Sequence, residues 1–151
     1  MVYKHALSFI ESNRRKEPDG TLSSIEEGVS LDNVPAKPGV YIVLSDKEKF
    51  LYPSKKSRVI YIGMSKNLKS RIMTHSKSFN SLKSLPKSQR KNYWYYSRYN
   101  YMVAFGCQIV WFTRRGTQSI KDLESTLIED FYNKHHAIPI GNGAFSFKKI
   151  L

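Results

Sequence analysis

This sequence of 151 residues has one cysteine and no long run of apolar residues. Cys107 therefore has no partner for an intrachain disulfide, and no cluster of thiolates can hold a metal. Because Cys107 stands in the apolar run 102–112, we expect a small buried side chain. Crossing a bilayer takes roughly 20 consecutive apolar residues, and the N-terminus lacks the pattern of a signal peptide. We therefore expect a protein with no membrane partner that is intracellular and cytoplasmic.

Acidic residues are scarce in the middle of the chain. Residues 39–81 contain nine Lys or Arg against two Asp or Glu, and residues 82–118 contain seven against none. The formal net charge of +13 thus arises between residues 39 and 118. Such a basic excess indicates a polyanionic partner, because cations that neutralise phosphates also release condensed counterions. Taken alone, it would also fit an RNA-binding module, an anionic membrane surface or, as the simplest alternative, a basic surface that only confers solubility.

The 40% of apolar residues, with 8 Phe, 10 Tyr and 2 Trp, supplies one hydrophobic core. We expect an N-terminal arm over residues 1–34 and one domain over residues 35–151. The arm is predicted to contain a helix near residues 4–15, a turn at residues 18–20 and a short helix around residues 24–27.

Two segments rich in β-branched and aromatic residues, 39–44 and 58–63, are predicted to be strands. Nearly every position in both is apolar, so helices should cover both faces of their sheet. The charged connector between them, residues 45–57, is expected to be exposed.

Alternation along a strand places Tyr41 and Val43 on one face of the first segment. In the second segment it places Val59, Tyr61 and Gly63 on one face. If the two strands pair as a simple hairpin, both tyrosines point into one site.

Three further elements follow. Ser65 is predicted to cap a helix over residues 66–77, and Ser119 to cap one over residues 120–136. A strand is predicted over residues 102–113. The order β, β, α, β, α indicates an α/β (α+β) fold in which helices flank a small, mostly antiparallel sheet of three strands.

Both predicted helices carry polar residues of interest. Arg71 and His75 are one turn apart and so project together, although an ordinary helix face shows the same spacing. Glu124 falls within the apolar stripe of the later helix. A buried carboxylate needs a metal ion, an arginine or a raised pKa, because burying an uncompensated charge is costly. A glutamate at the edge of the stripe or a structural ion pair is the simpler alternative.

Five ordered elements resemble the signature of the GIY-YIG nuclease superfamily. They are Gly39-Val40-Tyr41, the segment from Tyr61 to Arg71, His75, Leu123-Glu124 and Asn142. The stretches 38–41 and 59–71 are especially similar to the N-terminal nuclease domain of the bacterial excision-repair endonuclease. The compact chain also resembles stand-alone phage, homing and restriction members.

The resemblance implies a metal-dependent DNA endonuclease that hydrolyses phosphodiester bonds. Tyr41 or Tyr61 would position or deprotonate the attacking water. Since the pKa of an unperturbed tyrosine is about 10, a nearby cation or metal-bound water must assist. Arg71 would stabilise the transition state, and His75 would orient the nucleophile or accept a proton.

The resemblance also implies one Mg²⁺ or Mn²⁺ per active site, held by Glu124. Asn142 would orient a group of the site or a phosphate. Val40 replaces the middle residue of the first motif without changing its shape. Met64 stands where many repair members have lysine, so a lysine-assisted mechanism depends on Lys66 or His75.

The segment 82–101 interleaves aromatic and basic residues. This pattern favours stacking on unpaired bases while cations follow phosphates, and it also fits an aromatic core edge with a solvated basic rim. The predicted nucleic-acid contacts are Lys55, Lys56, Arg58, Lys66, Asn67, Lys69, Arg90, Lys91, Tyr95, Arg98, Arg114 and Arg115.

The expected partner is therefore DNA, with a dimer on DNA as one candidate assembly. In a bacterium the protein would associate with the nucleoid. A nucleic-acid-binding module of the same fold without turnover is the alternative, and a structural or partner-binding domain is a third hypothesis.

Overall fold

The structure, a computed structural model, describes residues 6–10, 17–90 and 97–142. Six strands and four helices follow one another in these ranges. The strands are β1 (Gly20–Leu22), β2 (Gly39–Ser45), β3 (Phe50–Leu51), β4 (Lys56–Ser57), β5 (Val59–Ser65) and β6 (Cys107–Thr113), and the helices are α1 (Leu68–Lys83), the single turn α2 (Lys87–Arg90), α3 (Ser97–Phe105) and α4 (Ile120–His135).

The main sheet is antiparallel and has the strand order β1, β6, β2, β5. The seven residues of β2 are all buried, because this central strand pairs with β5 on one side and β6 on the other. The sequence predicts three strands, and β1 is the fourth. A three-residue strand with one buried position has little periodicity to recognise. The segment that was expected to be a separate arm thus contributes a strand to the sheet.

Helices cover both faces of the sheet, as its apolar strands predict. On one face, α4 packs its buried residues together with Leu7, Phe9 and Ile10. On the other face, α1 and residues of α3 pack against β2, β5 and β6. The observed architecture is therefore an α+β sandwich with the sheet between two hydrophobic layers.

A bulge decides which residues of β5 share a face. Val43 pairs with Tyr61, but the next residue of β2, Leu44, pairs with Val59, so Ile60 is the extra residue. The prediction that both tyrosines share a face is confirmed, since Tyr41 and Tyr61 belong to the same buried cluster. The prediction that Val59 joins them is wrong, because the bulge returns it to the opposite face.

Helix α1 differs from its prediction at both ends. Asn67 rather than Ser65 is the N-cap, and its side chain accepts a hydrogen bond from the amide of Ser70 at 3.0 Å. The Ser65 hydroxyl instead accepts from the Asn67 amide at 3.0 Å, which turns the chain into the helix. Helix α4 matches its prediction, with Ser119 as N-cap and an end one residue earlier.

Two other assignments need correction. The segment 102–105, predicted to open a strand, is the end of helix α3, and Gly106 at φ +70 reverses the chain before β6 begins. Residues 24–27 form no helix. The predicted helix near residues 4–15 lies mostly outside the described residues.

Most of the connector between β2 and β5 is exposed, as predicted, although Tyr52, Ser57 and Arg58 are buried. It contains the β3–β4 hairpin. The Tyr52 hydroxyl donates to the carbonyl oxygen of Val59 at 2.8 Å. Arg58 is 6% exposed, and its Nε donates to the carbonyl oxygen of Ser45 at 2.9 Å. Arg58, which the sequence predicts to contact nucleic acid, is therefore a buried side chain whose guanidinium binds the loop backbone.

Cys107 is buried, as predicted, and burial raises the pKa of its thiol to about 12. Within the described ranges, no helix combines the length and the apolar character that a membrane span requires.

The close approach of the two tyrosines requires glycine at position 63. A Cβ atom there would lie 2.6 Å from the Tyr41 hydroxyl and 2.6 Å from Cε1 of Tyr61. We expect Gly63→Ala to lower the free energy of unfolding by about 1–3 kcal/mol, because the added carbon overpacks a closed site. Urea denaturation measures this, with Thr21→Ser at an exposed position of β1 as a control of small effect. An unchanged stability of Gly63→Ala would mean that the two phenols do not approach each other.

Candidate active site

A chain of hydrogen bonds runs through three aromatic side chains from β2, α1 and α3. The Tyr41 hydroxyl lies 2.6 Å from Nε2 of His75. Nδ1 of the same ring lies 2.8 Å from the Tyr99 hydroxyl. A neutral imidazole has one donor and one acceptor nitrogen, so it accepts from one phenol and donates to the other. His75 therefore fixes the orientation of both hydroxyl groups.

Tyr61 lies beside this chain. Its ring centroid is 6.0 Å from that of Tyr41 and 6.1 Å from that of His75. The guanidinium of Arg98, on α3, lies 4.2 Å from the centre of the Tyr61 ring. A cation over an aromatic face is attracted by the ring quadrupole. Arg98 thus packs on Tyr61 and places a permanent positive charge at the site.

Burial sets the protonation states of the chain. Burial raises the pKa of Tyr41 well above its ordinary value, an effect that the charge of Tyr61 reinforces and a hydrogen bond from Arg71 opposes. Burial also lowers the pKa of His75 to about 3, and the nearby charges of Arg71 and Arg98 act in the same direction. At neutral pH, Tyr41 is therefore a protonated phenol and His75 a neutral imidazole.

A cleft of about 740 Å³ opens at one end of the sheet. Gly39, Ser65 and Thr113 pair side by side there, so β2 begins where β5 and β6 end. The first turns of α1 and α4 flank the cleft. Its lining residues are Pro38, Met64, Ser65, Lys66, Arg71, Arg114, Ser119, Ile120 and Lys121.

Arg71 connects the cleft to the buried phenols. Its side chain lines the cleft, and its interaction with the Tyr41 hydroxyl is the largest influence that raises the pKa of the guanidinium. The structure therefore brings the side chains of Tyr41, Tyr61, Arg71 and His75 together.

Glu124 belongs to the helix on the opposite face of the sheet. It is half-buried, one turn along α4 from Ile120, which lines the cleft. Side chains on a helix lean toward its N-terminus, so Glu124 covers the turn that reaches the cleft. Glu124, Tyr41 and Tyr61 are not among the residues that line the cleft. Each is instead next to a lining residue, with Ile120 one turn from Glu124 on α4 and Arg71 beside the phenols.

The side chains near the cleft decide which divalent metal could bind there. The described residues include no group of three or more His, Cys, Asp or Glu that could hold a metal. Structural zinc takes four protein ligands and does not fit. Mg²⁺ is commonly bound by one or two carboxylates, with water and substrate phosphates as the other ligands. A single carboxylate, Glu124, one turn from a lining residue of the cleft, fits that second pattern.

Asn142 acts on the backbone of β5. Its side-chain oxygen accepts from the Ile62 amide at 3.0 Å, and its side-chain nitrogen donates to the Ile62 carbonyl at 2.9 Å. The Gly141 amide donates to the carbonyl of Ile60 at 2.6 Å. Since β5 is an edge strand of the main sheet, these bonds satisfy its outer side. Asn142 is therefore placed to position the strand that carries Tyr61.

The predicted nucleic-acid contacts are distributed over several places. Lys66 and Arg114 line the cleft, whereas Asn67 caps α1 and Lys69 is half-buried nearby. Arg115 is exposed, with Nη2 at 3.5 Å from a carboxylate oxygen of Asp19.

Other predicted contacts lie away from the cleft. Lys55 and Lys56 line a second pocket together with Arg58. Arg90 donates to the carbonyl oxygens of Leu85 and Lys83 at 3.0 and 2.9 Å, so it holds the chain after α1. Lys91 and Tyr95 lie outside the described residues.

Sequence reasoning missed the parts that α3 plays. Arg98 was predicted to contact nucleic acid, and its position over the Tyr61 ring was not foreseen. Tyr99 was assigned no role of its own. These contacts depend on α3 packing against α1, which no short spacing in the sequence reveals. Gly63 carried a local signal, since a glycine inside a buried strand often marks a close approach.

The titration of His75 predicts a pH-dependent stability. An unfolded histidine binds a proton below about pH 6.5, whereas folded His75 stays neutral down to about pH 3. The unfolded state therefore binds more protons in this window, and stability falls as the pH is lowered through it, by up to about 1.4 kcal/mol per pH unit.

Urea denaturation of wild type and His75→Gln at pH 7, 6 and 5 measures this effect. Glutamine can hydrogen-bond but does not titrate, so the stability gap between the two proteins should narrow as the pH falls. His135 is intact in both proteins and cancels in the comparison. If the difference in unfolding free energy between the two proteins stayed constant with pH, the pKa of His75 would be the same in the folded and the unfolded state.

The two hydrogen bonds between Asn142 and Ile62 should contribute to the stability of the fold. We expect Asn142→Ala to cost about 2 kcal/mol or more in the free energy of unfolding, because it leaves an amide and a carbonyl of β5 without their partners. Asn133→Ala, at an exposed position of α4, is the matched control and should change stability by less than about 0.5 kcal/mol. If the two variants were equally stable, the hydrogen bonds of Asn142 would not stabilise the fold.

Comparisons with protein-family models, curated proteins and solved structures gave no match to this chain. The likeness to the GIY-YIG superfamily therefore rests on the motif residues themselves. What the site does must be argued from its contacts and charges.

Proposed function

We propose that this protein is a metal-dependent endonuclease of the GIY-YIG type that hydrolyses phosphodiester bonds in DNA. The observation that carries the proposal is the position of Arg71, which lines the cleft and also interacts with the buried phenol of Tyr41. A permanently charged guanidinium thus stands between a solvent-accessible cleft and two buried phenols. This is the placement that stabilisation of a phosphoryl transition state requires.

The charge of the cleft supports a phosphate substrate. Four cations, Lys66, Arg71, Arg114 and Lys121, line it, and none of its described lining residues is acidic. The N-termini of α1 and α4 lie at its edge, where free amide groups and the helix dipole favour anions. The cleft therefore suits a phosphodiester better than a neutral or cationic ligand.

The protonation states suggest a division of roles between the tyrosines. Tyr41 is fully buried and held protonated, so it serves as a hydrogen-bonding group and not as a base. Tyr61 has 9% of its surface exposed and a guanidinium over its ring. We assign Tyr61 to the attacking water and His75 to positioning, because its two nitrogens are occupied by Tyr41 and Tyr99.

Glu124 is the residue that would hold the metal. A bound Mg²⁺ or Mn²⁺ supplies Lewis-acid polarisation of the scissile phosphate and charge for the leaving oxygen. Arg71, which lines the cleft, provides the positive charge that the protein itself contributes. Lys66 and Arg114 at the rim would hold the DNA backbone without reading its sequence.

Cleavage of supercoiled plasmid in the presence of Mg²⁺ tests the proposal. We expect wild type to nick or cut the plasmid and EDTA to abolish this activity. Glu124→Gln and Arg71→Met should each lower the rate by about a hundredfold or more, since each removes a charge that acts on the transition state.

Matched variants control for folding and net charge. Glu129→Gln makes the same change at an exposed position of α4, and Lys77→Met removes a cation from an exposed position of α1. Both should cleave at close to the wild-type rate. Equal cleavage by Glu124→Gln and Glu129→Gln would refute the metal assignment. DNA binding without cleavage by wild type would favour the alternative, a binding module of the same fold without turnover.

A further inference from the structure

A second pocket, of about 350 Å³, lies beside the β3–β4 hairpin. Its lining residues are Ala6, Ser8, Lys49, Lys55, Lys56, Ser57, Arg58 and His135. His135 is the last residue of α4, whereas the candidate active site lies at the first turn of the same helix. Sixteen helical residues separate the two by roughly 20 Å. The hairpin pocket is therefore distinct from the cleft.

The hairpin pocket is strongly basic. Lys49, Lys55 and Lys56 are exposed at its edge, and the buried Arg58 forms part of its wall. Asp46 is the acidic residue whose charge raises the pKa of Arg58. It is half-buried and does not line the pocket. The described lining includes no acidic residue. Four cations around one cavity favour a ligand with a concentrated negative charge.

His135 supplies a second polar feature of this pocket. It is 5% exposed, its ring stacks on Phe131 at 4.0 Å between centroids, and its Nδ1 lies 3.1 Å from the carbonyl oxygen of Phe131. That bond makes Nδ1 the donor nitrogen and leaves Nε2 as an acceptor. Nε2 has no hydrogen-bond partner among the described residues, although buried polar groups are usually satisfied.

We propose that the hairpin pocket binds a phosphate ester that also carries a hydroxyl group, as a sugar phosphate or a nucleotide does. The lysines hold the phosphate, and Nε2 of His135 accepts a hydrogen bond from the hydroxyl. Burial and the charges of Lys55 and Lys134 lower the pKa of His135, which keeps the ring neutral and able to accept. The volume suits a ligand of this size.

The hydroxyl distinguishes this ligand class from a simple anion. An unprotonated nitrogen lone pair repels an anionic oxygen, so an anion without a hydroxyl group, such as sulfate, interacts favourably only with the lysines. A sugar phosphate interacts favourably with the lysines and with Nε2 of His135. The same chemistry occurs in a free nucleotide and at the phosphorylated end of a nucleic-acid strand.

Titration calorimetry with ribose 5-phosphate and with sulfate, a tetrahedral anion that has no hydroxyl group, tests the proposal. We expect wild type to bind ribose 5-phosphate at least about tenfold more tightly, the effect of one well-made hydrogen bond to a buried acceptor. His135→Phe keeps the stacked ring and should lose this preference while retaining sulfate binding. The double variant Lys55→Ala, Lys56→Ala should bind both ligands more weakly. Lys77→Ala, on the other face of the sheet, should leave the affinity for both ligands unchanged.

Two further ligands identify the source. If AMP alone displaces ribose 5-phosphate, the natural ligand is a free nucleotide. If an oligonucleotide with a 5′-phosphate displaces it, and the same strand without that phosphate does not, the ligand is the end of a nucleic-acid strand. Failure of wild type to bind ribose 5-phosphate, equal affinity for the two test ligands, or unchanged binding by His135→Phe would overturn the proposal. These variants leave the cleft intact, so plasmid cleavage is tested separately.

Discussion

The hydrogen bond between the Tyr41 hydroxyl and Nε2 of His75 ties the central strand of the sheet to helix α1 at a distance of 2.6 Å. Both side chains are almost completely buried, so each needs the other as a partner. The bond fixes the rotation of α1 relative to β2. One turn earlier on the same helix, Arg71 is thereby directed to the cleft at the strand ends. The orientation of the candidate catalytic cation thus follows from a buried polar contact.

Helix α4 organises the two basic regions of the molecule. Its N-terminus flanks the cleft and its C-terminus forms a wall of the hairpin pocket. Between these ends its apolar residues pack on the sheet, so the separation of the two sites is set by a rigid element. A ligand at one site leaves the other free, which allows the two proposed activities to be examined independently.

The connector between β2 and β5 shows why composition alone misjudges a loop. Its lysines predict an exposed segment, and several of them are exposed. The buried Arg58 and Tyr52 nevertheless hold it in place by donating to backbone carbonyls of Ser45 and Val59. A cationic side chain can serve as an internal donor as well as a surface charge, and only its surroundings distinguish the two uses.

By itself, the sequence determined the buried strands β2 and β5, the helix after Ser119, the location of the positive charge and the group of Tyr41, Tyr61, Arg71 and His75. These follow from local patterns or from a motif likeness. The strand β1, the bulge at Ile60, the positions of Arg98 and Tyr99, and the hairpin pocket were decided by tertiary structure. Each depends on residues distant in sequence coming into contact, because packing and long-range hydrogen bonds select among local conformations of similar energy.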